Sequence, residues 1–166
     1  MTARISTEQA DVLEASAAWL RNQVEELGSE SVCFVSAWPM PPHCPPGNLF
    51  ATIAPTDGTF DQDLLEGGGA NTACENAGVV VTVFSRCKLD RAGQSNFLLS
   101  DQGRGLLRLK KKILKAFTSH DLEFERSLIL RNQMAPLRST AGDYNEQQSI
   151  GWLSVTFSTD FDWALT

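Results

Sequence analysis

Gly78-Val-Val-Val-Thr-Val-Phe-Ser-Arg86 constrains this chain more than any other stretch. Four valines and Thr82 are β-branched, and such side chains suit a pleated surface better than a helix. The run is apolar without alternation, as expected of a strand covered on both faces. It predicts a central strand, and a central strand requires partners on either side. The membrane alternative fails on length, because a spanning helix needs about 20 consecutive apolar residues. The other long apolar stretch, Val32 to Val35, is shorter still.

The remaining elements follow from periodicity. Leu13, Ala17, Leu20, Val24 and Leu27 repeat at steps of three and four, which predicts a helix over 7–27. Ser6 and Gln9 read as its capping box, Ile5 as its staple and Gly28 as its stop. Trp19 lies off the stripe with Val12, as part of a wide buried face or as a partner contact. Residues 31–38 and 48–54 read as strands. Between them Pro39-Met-Pro-Pro-His-Cys-Pro-Pro46 carries five prolines in eight residues, the composition of a stiff extended connector. Residues 55–76 hold five acidic residues and four glycines, and are read as a long loop projecting from the core.

A second helix is predicted over 104–118, capped by Asp101. Leu106, Leu109, Ile113 and Phe117 line one side, with Leu107 and Leu114 beside them. Arg108, Lys111, Lys112 and Lys115 line the other. With Arg104 and Lys110 this makes six positive charges in twelve residues, with no acidic residue among them. Like charges on a helix repel, and a negatively charged partner would offset that cost. Residues 126–131 and 150–157 read as strands, and 139–149 as a polar turn region. The last residues place Phe161, Trp163 and Leu165 at alternate positions, as an edge strand would.

The resulting order is α-β-β-β-α-β-β. Runs of strands without helices between them, at 31–86 and 126–157, predict an α+β fold with one antiparallel sheet packed by two helices. The 166 residues suit a single domain spanning 1–166. A net charge of −6 argues against general nucleic-acid binding.

Nothing in the sequence nominates a catalytic residue, and the chain is read as no enzyme. Neither His43 nor His120 lies in a catalytic motif, and no G-x-S-x-G or H-E-x-x-H occurs. Cys33, Cys44, Cys74 and Cys87 lack C-x-x-C spacing and are read as reduced structural thiols. Asp57, Asp61, Asp63 and Glu66 do not follow the calcium-loop register. Gly67-Gly68-Gly69 has no phosphate-loop lysine. No metal or cofactor site is expected. The N-terminus lacks a signal peptide's apolar core, so the expected compartment is the one in which the chain is made.

This order of elements resembles the tail-terminator and neck-completion proteins of tailed bacteriophages. The resemblance is carried by Val79-Val-Val-Thr-Val-Phe84, by Leu106 to Phe117 after a polar link, and by Gly151-Trp-Leu-Ser-Val-Thr-Phe157. It is architectural and spans nearly the whole chain. It implies a structural virion protein of the neck, a hexameric ring that ends the tail tube and joins tail to head. The implied partners are copies of itself, tail-tube proteins, head-completion (connector or stopper) proteins and DNA passing through the ring. Assembly would occur in the host cytoplasm, with no membrane. On this reading Arg104, Arg108, Lys111, Lys112 and Lys115 face a neighbouring subunit or the channel, and Trp19, Phe161 and Trp163 are candidate partner contacts. A different reading makes the acidic glycine-rich segment the site of a small-ligand-binding or enzymatic α+β domain.

Overall fold

The valine run lies at the heart of a sheet. A computed structural model describes residues 9–39, 47–60, 72–86, 105–119, 134–140 and 142–164; for 72–74, 119 and 160–164 it describes the backbone alone. Helix α1 (Gln9–Gln23) and a 3-10 turn (Glu25–Leu27) precede β1 (Cys33–Val35), β2 (Leu49–Phe60) and β3 (Thr72–Arg86). Helix α2 (Leu106–Ser119), β4 (Ala135–Ser139), β5 (Asp143–Asn145) and β6 (Ile150–Ala164) follow. The sheet runs β1-β2-β3-β6-β4, with β5 also paired to β6. The fold is α+β, and the order of its elements is consistent with the predicted one.

One strand pair departs from the expected antiparallel sheet: β1 and β2 run parallel, with Cys33 opposite Ala51 and Val35 opposite Ile53. Parallel neighbours require a long crossover, since a tight turn can only reverse the chain. The connection from Ser36 to Asn48 contains the prolines, and its residues 40–46 lie outside the described residues. The parallel direction of this pair was not expected from the sequence.

The segment expected as a projecting loop over 55–76 is strand at both ends. β2 continues to Phe60, and β3 begins at Thr72, with Phe60 opposite Glu75. A bulge falls between Pro55 and Gly58, so Thr56 and Asp57 oppose Gly78 alone. Both glycines are needed there. A Cβ on Gly78 would lie 1.9 Å from Thr56 Oγ1, and one on Gly58 would lie 2.9 Å from the Ala77 Cβ. Residues 61–71, including Asp61, Asp63, Glu66 and the triple glycine, lie outside the described residues.

The C-terminal residues join the chain's own sheet, as an alternating edge strand would. They continue β6 along β3, with Phe161 opposite Glu75 and Trp163 opposite Ala73. β4 and β5 were not anticipated, and β5 lies within the expected turn region. The strand read at 126–131, the cap and staple before Gln9, and His43, Cys44, Cys87 and His120 lie outside the described residues. Helix α1 breaks at Val24, whose backbone is extended, and the 3-10 turn then ends at Gly28 with φ −71°, so this glycine does not act through a left-handed conformation.

Register assigns the faces. Ala51, Ile53, Val79, Val81, Val83, Leu153, Val155 and Phe157 share one side of the sheet. They form a core with Val12, Leu13, Ala17 and Leu20 of α1 and Leu106, Leu109, Ile113 and Phe117 of α2. Both helices therefore cover the same face. The opposite face carries Phe50 stacked on Phe84, 4.4 Å between centroids, with Ile150 beside them. Next to that stack runs a polar row, Thr52, Thr82 and Ser154, aligned across three strands. Its hydroxyls are satisfied: Thr82 and Ser154 share a bond of 2.9 Å, and Thr52 Oγ1 donates to the Pro39 carbonyl at 2.6 Å. Every residue from Val79 to Phe84 is buried, as the continuous apolar run requires of a central strand.

Candidate functional site

Helix α2 places apolar and basic residues on separate faces because its apolar positions recur at helical spacing. Leu106, Leu109, Ile113, Ala116 and Phe117 are buried, whereas Arg108, Lys111, Lys112 and Lys115 are exposed. The basic face is not uniform. Lys112 Nζ pairs with Glu26 Oε1 of the 3-10 turn, and Lys110 Nζ donates to Ser139 Oγ of β4 at 2.7 Å. These two lysines lie on the flanks of the helix and bind it to its neighbours. Lys111 and Lys115 lie on the outward surface between the flanks. Arg104 lies outside the described residues.

Burial alone would raise the Glu26 pKa, but the Lys112 hydrogen bond, its own backbone N–H and the Lys112 charge outweigh that effect and lower it. Its second oxygen, Oε2, is buried without a hydrogen-bond partner among the described residues. Cys33 behaves oppositely. Burial pushes its thiol up to about 11 despite the nearby Arg21 guanidinium. A thiol held protonated is the reverse of an activated nucleophile. Among the described residues no group of three or more His, Cys, Asp and Glu side chains could hold a metal. No described helix is long and apolar enough to cross a membrane.

Trp19 is half-buried against the core, and its indole N–H donates to the Ala116 carbonyl of α2 at 2.8 Å. Ala116 lies in the last turn of α2, where carbonyls have no donor within the helix. Trp19 thus joins the two helices and satisfies a helix end. Of Phe161 and Trp163 the structure gives strand pairing with β3.

The sheet edges hold residues that sequence reading missed. On the β1 edge, Val32 O and Ser36 N point to β2, so the backbone groups of Cys33 point outward. They are already occupied: Cys33 N donates to Ser29 O, and Arg21 Nε donates to Cys33 O at 2.9 Å. On the far edge β4 is exposed at all five positions and contains Pro136 and a register shift at Leu137. Short length, proline, a bulge and charge all oppose backbone pairing with another strand. Among the described residues the exposed large apolar ones are Trp38, Phe60, Leu107 and Leu137, at 63, 52, 42 and 66% exposure. Trp38 follows β1, Leu137 is in β4, and Leu107 is one turn before the Lys110 that contacts β4. The proline in β4 was the one sequence signal for an edge.

No family model matches the chain. No curated protein matches it in sequence. Among solved structures, a chain of the virion of a native gene transfer agent particle is similar at a TM-score of 0.54 and 12% identity. The alignment covers 95% of this chain and all of that one. At that identity the likeness shows a shared fold over almost the whole length.

Proposed function

We propose that this chain is a structural virion protein of a phage-like particle, a ring subunit at the neck that ends the tail tube and joins it to the head. The observation that carries the reading is the fold shared along the whole chain with a protein of a gene transfer agent virion. The fit spans both chains, so the likeness is not that of one common motif within a larger protein. A polar yet largely apolar-cored domain with a basic helix face suits a subunit placed among other proteins and beside DNA. On this reading the partners are copies of the chain, tail-tube and head-completion proteins, assembly takes place in the host cytoplasm, and the chain catalyses nothing.

The exposed part of the basic face, Lys111 and Lys115, then meets either an acidic neighbouring subunit or DNA in the channel. Net charge favours the neighbour, because a chain of −6 offers many carboxylates to its own copies. Gold-labelled antibody against the chain tests the location on intact particles. Label at the head–tail junction is expected, together with tails of uneven length and free heads when the chain is absent. Label along the whole tail, or none on particles, would overturn the reading.

A further inference from the structure

We infer that the two opposite edges of the sheet form the two halves of a head-to-tail contact between copies of this chain, made by side chains rather than by continuing the sheet. This rests on the ring reading and identifies its interface. Along the β4 edge, Leu137 and Leu107 expose apolar surface beside Lys111 and Arg138, all four exposed. Lys110 fixes α2 to β4 there through Ser139, and Leu107 and Lys111 lie on that side of the helix. The other edge is its chemical complement. Trp38 exposes its indole just beyond β1. Glu30, 90% exposed, precedes β1 and reaches the Arg21 that occupies the β1 edge. Glu14 is exposed two turns before Arg21 and therefore shares its side of α1.

Beside β4 one edge thus presents leucines with cations, with the exposed Asp143 and Glu146 further along it at β5, and the other edge presents a tryptophan with carboxylates. They lie at opposite ends of the order β1-β2-β3-β6-β4, roughly 19 Å apart across four strand spacings. Two different, complementary patches on opposite sides specify a heterologous contact, the kind that generates rings when the rotation closes. A two-fold dimer would instead require one self-complementary patch. Backbone pairing across the contact is opposed at both edges, by Arg21 and Ser29 on β1 and by Pro136 and the bulge on β4. Apolar anchors within a rim of opposite charge fit the anatomy of a specific interface. The occupant of each edge is accordingly a second copy.

Native mass spectrometry of the purified full chain and two charge-reversed variants tests this. One variant carries Lys111→Glu with Arg138→Glu; the other carries Glu14→Lys with Glu30→Lys. Wild type is expected to form closed oligomers that weaken as salt rises. Each variant alone loses the oligomer, because its two edges now bear the same sign, while its thermal melt confirms folding. An equimolar mixture regains an oligomer of alternating copies. Should a reversed variant fail to fold, Leu137→Ser and Trp38→Ser replace it, and each is expected to lose oligomer. A wild-type oligomer that all these changes leave intact places the interface elsewhere and overturns the inference, whatever the neck labelling shows. A wild type that is monomeric at every concentration, or only dimeric, also overturns it, while the neck reading still stands or falls on the antibody label.

Discussion

Cys33 and Lys112 illustrate how one residue's surroundings determine what it does. The Cys33 thiol sits under α1, and burial holds it at about 11. Near pH 8 its thiolate fraction is lower than that of a free cysteine by roughly two orders of magnitude. In a chain with Cys44, Cys74 and Cys87 changed to serine, alkylation should therefore be slower in the folded protein by at least that factor and return to normal in denaturant. Lys112 lowers the Glu26 pKa from its ordinary 4.5. Glu26 thus holds its proton less tightly folded than unfolded. The pair's contribution is complete above pH 4.5 and is lost as pH falls through the lower folded value. With the Lys112 side chain 48% exposed, that contribution is about 0.5 kcal/mol at most. Lys112→Met should lower the melting temperature slightly at pH 7, by an amount that shrinks as pH falls below 4.5.

At the scale of elements, the junction between α1 and α2 depends on Trp19. Trp19→Phe retains most of the buried ring but leaves the Ala116 carbonyl without its donor. It should destabilise the protein by about 1 kcal/mol, read as a shifted urea midpoint at constant slope. Both helices and β3 were legible in the sequence because their signals are local: a three-and-four repeat in α1 and α2, and a β-branched run in β3. The parallel β1–β2 pair was not, since direction depends on where the Ser36–Asn48 connection returns, which no residue of β1 records. β2 and β3 were cut short because Pro55, Gly58 and the acidic residues look like a loop. Their strand character comes from pairing with each other and with β6, which is a tertiary effect. In α2 the exposed Arg108, Lys111, Lys112 and Lys115 lie opposite the buried leucines. That Lys110 and Lys112 are engaged within the protomer, whereas Lys111 and Lys115 face outward, depends on Ser139 and Glu26, both distant in sequence.

At the scale of the whole molecule, the described residues form a sheet with helices on one face, an aromatic and hydroxyl-rich second face, and edges that resist backbone pairing. On the proposed ring reading, copies with such edges would meet through side chains, with the outward lysines facing an acidic neighbour. Reversing Lys111 and Lys115 to glutamate should abolish assembly if they contact the next subunit. Normal assembly with impaired DNA passage would instead place them in the channel. The claim that unites these features is that copies of the chain close into a ring. Electron-microscope class averages of the purified assembly test it most directly. The account predicts closed rings with six-fold symmetry and a central channel; two-fold dimers, or open filaments that never close, would contradict it.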